Sequence, residues 1–148
     1  MKLPAALTLL IAAATAAGSA YALDYVSVAD SSVILYDAPS LKAKKIFVVN
    51  RYLPLEQVVS LDGWAKVRDS SGGLAWIEKH AISNKRFVVV MPPQAEVRQA
   101  ANADAPIVFS ARQQVALEWL ESTGNGWVKV RHLDGMTGYV RAAEVWGD

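Results

Sequence analysis

Beyond residue 22 the apolar residues fall in short runs, several alternating with polar ones, and most runs end at a cluster of Gly, Pro, Asn, Asp or Ser. That texture predicts strands and turns. In the N-terminal half the predicted strands are Tyr25 to Val28, Val33 to Tyr36, Ile46 to Val49, Leu53 to Val59, Trp64 to Arg68 and Leu74 to Ile77. In the C-terminal half they are Phe87 to Met91, Ala95 to Arg98, Ile107 to Phe109, Val115 to Leu120, Trp127 to Arg131 and Gly138 to Val140. Asp62-Gly63 and Asn125-Gly126 supply the dipeptides that tight hairpins favour. The stretch Ala111 to Leu120 has a helical rhythm, but its counterpart in the first half contains Pro54 and β-branched valines, so it is read as strand. Phe87-Val88-Val89-Val90-Met91 is apolar throughout, unlike its alternating counterpart Tyr25 to Val28. It is expected to be buried on both faces, close to a contact between the halves.

The two halves repeat one plan. Gly63-Trp64-Ala65-Lys66-Val67-Arg68 returns as Gly126-Trp127-Val128-Lys129-Val130-Arg131, and six of the ten positions from Gly63 to Gly72 are identical in the second copy. Repetition at this length predicts two copies of one folding unit. Many short strands at tight spacing predict an all-β fold in which each unit is a small closed or nearly closed barrel. Residues 23–84 form the first expected unit and residues 85–148 the second, joined near Ser83-Asn84-Lys85 by a linker too short for free tumbling.

Composition changes the picture at the N-terminus. Lys2 is followed by an uncharged Ala/Leu run from Leu3 to Ala17, then Gly18-Ser19, then Ala20-Tyr21-Ala22. This is the layout of a signal peptide over residues 1–22, cleaved after Ala22. The competing reading is a membrane anchor, for which the run falls short of the ~20 apolar residues a span requires. The mature chain is therefore expected to be periplasmic or secreted, without stable membrane insertion. The 148 residues include no cysteine and carry a formal charge of +1. Residues 23–84 and 85–148 each hold seven basic and seven acidic side chains. A nucleic-acid partner is not expected, because such proteins show a basic excess.

The second unit, from Ala95-Glu96-Val97-Arg98 through Ala105-Pro106-Ile107-Val108 and Gly126-Trp127 to Gly135-Met136-Thr137-Gly138-Tyr139-Val140 and Val145-Trp146-Gly147, resembles a bacterial SH3 domain. The first unit resembles it more loosely, through Leu35-Tyr36-Asp37-Ala38-Pro39-Ser40 and Gly63-Trp64. The resemblance implies two tandem SH3-like β-barrels, five-stranded and non-catalytic, of the kind found in exported proteins that meet the cell wall. Relatives that bind proline-rich peptides carry two adjacent tryptophans. Here Gly63 and Gly126 stand in the first of those places, so that ligand mode is not carried over.

Strand alternation places Trp64, Lys66 and Arg68 on one face, with Ala65 and Val67 on the core side. Trp127, Lys129 and Arg131 repeat the arrangement. An aromatic ring beside two cations suits a sugar with nearby carboxylates, hence peptidoglycan, with Tyr36 as a further aromatic candidate. The alternative is that the tryptophans roof the barrels or the seam between them. Lys42, Lys44 and Lys45 form the one local basic cluster, fit for an anionic ligand or simply for solvent. Glu56 and Glu118 occupy matching positions, where cross-strand pairing with Lys or Arg is expected in place of a glycosidase pair. His80 and His132 lack metal-ligand spacing, and no nucleophile motif is present. The expectation is a binding module without enzymatic activity, metal or cofactor, whose partner is peptidoglycan or a cell-envelope protein. A regulator of an envelope enzyme and a secreted hydrolase are the competing readings.

Overall fold

A computed structural model describes residues 23–148. The expected signal peptide, residues 1–22, lies outside the described residues. The first half builds one antiparallel sheet from β1 (Tyr25–Val28), β2 (Val33–Tyr36), β3 (Lys45–Val49), β4 (Pro54–Ser60), β5 (Trp64–Arg68), β6 (Leu74–Glu78) and β7 (Ile82–Ser83), ordered β3-β2-β6-β5-β4-β1-β7. The second half builds another from β8 (Phe87–Val90), β9 (Gln94–Arg98), β10 (Ile107–Arg112), β11 (Ala116–Ser122), β12 (Trp127–Arg131), β13 (Thr137–Arg141) and β14 (Val145–Trp146), ordered β10-β9-β13-β12-β11-β8-β14. The two orders match place for place, so the sequence repeat is a structural repeat.

Each sheet has seven strands where the resemblance implies five. A single 3-10 turn, Lys79–Ala81 in one unit and Ala142–Glu144 in the other, brings the chain back so that β7 pairs with β1 and β14 with β8. Each two-residue strand thereby covers an edge that would otherwise be open. A β-bulge recurs at the same place in both units, between Gln57 and Val59 and between Trp119 and Glu121. Bulges bend and twist a strand, which helps a sheet curl over its own core.

Alternation decides which side chains fill each core. Ala65 and Val67 of β5 pack with Val28, Leu35, Leu55 and Ile77. Val128 and Val130 of β12 pack with Val90, Val97, Leu117 and Val140. Apart from residues 113–115, the stretch from Ala111 to Leu120 is strand and holds no helix, as expected. It divides at a turn in which Gln114 takes a φ of 68° and the Val115 N–H donates to the Arg112 carbonyl at 3.2 Å.

The units meet where the apolar run Phe87 to Val90 leaves the linker. All four residues of β8 are buried. The Phe87 ring stacks on Tyr52 of the first unit with centroids 4.6 Å apart. The Ser27 hydroxyl donates to the Lys85 carbonyl at 2.6 Å, and Tyr25 meets Trp146 edge to face at 5.2 Å. These contacts cross from one sheet to the other and fasten the linker between them.

Candidate functional site

The outer face of each sheet carries the residues that the repeat singles out. Trp64, Lys66 and Arg68 share that face, with Ala65 and Val67 buried beneath. Each member of the trio meets a different partner. Trp64 is half-buried and stands edge to face against Tyr36, centroids 5.4 Å apart. Lys66 lies 5.9 Å above the Trp76 ring, and Arg68 donates to Glu56 at 3.0 Å. In the second unit Lys129 lies 5.9 Å above Tyr139, and Arg131 pairs with Glu118 at 3.6 Å. Trp127 is only 8% exposed, and the Arg141 guanidinium lies 5.0 Å from its ring centroid.

The glutamates fall where cross-strand pairing requires. Glu56 is in register with Arg68 and Glu118 with Arg131. Glu118 also receives Lys85 at 3.3 Å. Each carboxylate is thus held within or beside its own barrel.

A concave site forms at the same place in both units, lined by Trp127 in the second and by Tyr36, which Trp64 contacts, in the first, and sequence patterns alone did not reveal it. In the first barrel a cleft of about 270 Å³ is lined by Asp30, Ser32, Ile34, Tyr36, Glu78 and His80. In the second, a cleft of about 230 Å³ is lined by Gln94, Glu96, Arg98, Trp127, Arg141 and Glu144. The linings correspond by register. Tyr36 sits opposite Trp76, and Arg98 opposite Tyr139. Trp64 sits opposite Glu78, and Trp127 opposite Arg141. Ser32, Ile34 and Tyr36 of one barrel thus become Gln94, Glu96 and Arg98 of the other. One backbone framework presents two different chemistries at the same address.

The first cleft combines an aromatic floor with acidic walls. Tyr36 is 6% exposed beneath Trp64, Glu78 is paired with His80, and Asp30 stands 3.9 Å from Arg51. The second cleft is polar apart from Trp127. Arg98 pairs with Glu96 and donates through Nη1 to the Ala105 carbonyl at 2.8 Å. Arg141 and Glu144 complete a lining of both signs, suited to a ligand that carries amines and carboxylates.

The remaining candidates lie elsewhere. Lys42, Lys44 and Lys45 are exposed in the loop and at the start of β3; none lines either cleft, although Lys45 is in register with Tyr36, and they form no ion pair among the described residues. His132 sits on the turn between β12 and β13 beside Asp134, at 3.0 Å. The Asp134 carboxyl is held below the usual range, chiefly because it accepts the Met136 N–H and also because it meets His132. Among the described residues no three His, Asp or Glu side chains gather in a way that would hold a metal ion.

Two comparisons with known families agree with this architecture. A bacterial SH3 domain model matches residues 29–84, and a second bacterial SH3 domain model matches residues 93–145. No curated protein matches the chain. Among solved structures, NlpC2 from Trichomonas vaginalis is similar at 12% identity and a TM-score of 0.40, over 88% of this chain and 50% of that one. NlpC1 from the same organism is similar at 12% identity and a TM-score of 0.39, over 95% and 51%. An NlpC/P60 family protein from Bacillus cereus ATCC 10987 is similar at 13% identity and a TM-score of 0.38, over 82% and 55%. The chain spans about half the length of these structures. Bacterial SH3 domains are typical of extracellular and cell-envelope proteins, and among the described residues no helix is long and apolar enough to cross a membrane. The chain belongs to the bacterial SH3 domain family and carries two copies of the domain in tandem.

Proposed function

We propose that this protein is an exported, non-catalytic binding module that engages peptidoglycan through the paired clefts on the outer faces of its barrels. The observation that carries this reading is the recurrence of one cleft, at one register, in both barrels, with linings that together offer an aromatic floor, carboxylates and guanidinium groups. A wall polymer joins sugar rings to short peptides bearing amines and carboxylates. Tyr36, held in place by Trp64, and Ile34 supply apolar surface for a ring, Glu78 and Asp30 meet ammonium groups, and Arg98 and Arg141 meet carboxylates. Two clefts in one chain raise the local concentration of the second site once the first is filled.

The module reading also agrees with the tied state of the glutamates, each occupied by a cation on its neighbouring strand. Co-sedimentation with purified sacculi tests the proposal. The two-barrel protein is expected to pellet with the wall, and Trp64→Ala and Arg141→Glu to reduce retention while the urea midpoint stays within the folded range. No soluble wall fragments should be released during the incubation. Failure of the wild-type protein to pellet would refute wall binding, and released fragments would refute the non-catalytic part.

A further inference from the structure

We propose that the open edge of β3, with Ile34 of β2 behind it, docks an extended segment of a partner protein rich in apolar and acidic residues. This surface shares only Ile34 with the cleft of the first barrel, so the proposal goes beyond the wall-binding reading.

Four observations converge on this strand. First, β3 ends its sheet and pairs only with β2 among the described residues, so its outward N–H and C=O groups are free to form another ladder. Second, the strand is apolar where an unguarded edge invites pairing. Phe47 is 53% exposed and Val48 68%, and Leu41 nearby is 66% exposed. Phe47 and Val48, with Ile34, Lys45 and Ile46, line a shallow groove of about 190 Å³. Third, the charges that usually guard an edge are gathered at one end. Lys42, Lys44 and Lys45 are exposed and lack ion-pair partners among the described residues. Such a cluster selects an acidic occupant.

The fourth observation is the internal control that the repeat provides. Val48 pairs with Ile34 in the first barrel, and Ser110 pairs with Glu96 at the same place in the second. The loop before β10, Asn102-Ala103-Asp104-Ala105-Pro106, holds no lysine. The second edge strand stays apolar, with Phe109 in the place of Phe47 and with Ile107 49% and Val108 39% exposed, so the copies differ in serine for valine and above all in the lysine cluster, which the fold does not require. A membrane surface would meet the lysines and the apolar tips but would leave the backbone groups of β3 without partners. An added strand satisfies all three. A second copy of this chain pairing antiparallel through β3 would set the two lysine clusters at opposite ends and give neither an acidic partner.

The test uses a fluorescein-labelled peptide of alternating valine and glutamate, and a second in which lysine replaces glutamate, titrated into the intact two-barrel protein. The glutamate peptide is expected to bind and the lysine peptide to fail. The double variant Lys44→Glu, Lys45→Glu should weaken binding about tenfold or more, and Val48→Glu, a surface change, should do the same. Hydrogen exchange should slow at the outward amides of β3 when the glutamate peptide is present. Equal affinity for both peptides, no binding up to millimolar concentration, binding to phosphatidylglycerol vesicles in place of the peptide, or a concentration-dependent dimer would each overturn the proposal. Sacculus retention should be unchanged in the lysine variant. Its loss would make this surface part of the wall site and overturn the separate role assigned here.

Discussion

The guanidinium of Arg86 lies 4.1 Å from the ring centroid of Trp119 and 5.6 Å from that of Tyr25. Trp119 belongs to the second barrel and Tyr25 to the first, so one linker side chain is held between aromatic rings of both. Its Nη2 donates to the Gly147 carbonyl at 2.7 Å, and Trp119 in turn donates through Nε1 to Asp148 at 2.8 Å. Replacing Arg86 by Ala removes the stacked plane, its hydrogen bond and its stem, a loss of about 2 kcal/mol. Arg86→Lys keeps charge and stem but not the planar fork, and should recover only part of that. Urea unfolding followed by tryptophan fluorescence checks both variants.

Gly138 offers a sharper steric test. A Cβ built there would stand 2.7 Å from the Arg98 carbonyl oxygen and 2.7 Å from a Val97 methyl. The first obstacle is backbone in a paired strand and cannot swing aside. Gly138→Ala is expected to cost about 1–3 kcal/mol. Gly72→Ala meets nothing within 4 Å and pays only for its φ of 88°, about 1 kcal/mol. Comparing the two urea midpoints separates crowding from backbone conformation.

The Tyr36–Trp64 edge-to-face pair should register as coupling and not simply as two separate losses. In a double-mutant cycle with Tyr36→Leu and Trp64→Leu, the interaction term should be about 1 kcal/mol in favour of the pair. A term near zero would mean that Trp64 contributes by area alone.

Stability should fall on the alkaline side through Tyr25. Burial first, and the nearby Glu56 carboxylate second, raise its phenol above the ordinary value of 10.0. The folded state therefore holds this proton more tightly than the unfolded state does. The contribution is complete below pH ~10 and is lost as pH rises through the folded value. Urea midpoints measured from pH 8 to 11 should decline, and the decline should be smaller in Tyr25→Phe.

Much of the fold was readable in the chain because strand alternation and turn chemistry are local. Val67 and Val130 had to face inward once Trp64, Lys66, Trp127 and Lys129 faced out. The Glu56–Arg68 and Glu118–Arg131 pairs also followed, since matching positions in a repeat share one register. The two-residue strands β7 and β14 were not legible, because a 3-10 turn places them and their pairing partners are remote in sequence.

The candidate site was less legible. The sequence singled out Trp64 and Trp127 as equivalents, yet one is half-buried against Tyr36 and the other lies under Arg141. That difference comes from residues on other strands, Tyr36 against Arg98 and Glu78 against Arg141, which no spacing rule brings beside a tryptophan. Lys66 and Arg68 were expected to flank the ring, but cross-strand geometry gives them to Trp76 and Glu56.

By itself the sequence determined that the chain is β-rich, that it is built twice on one plan, and which residues face each core, because these depend on periods of two and on turn residues close along the chain. Only the tertiary structure decided that the repeats present unlike clefts, that Arg86 is gripped from both sides, and that β3 is left as an apolar, lysine-flanked edge. Those features arise where strands distant in sequence are brought side by side, and the contacts they create belong to the packed sheet and not to any one segment.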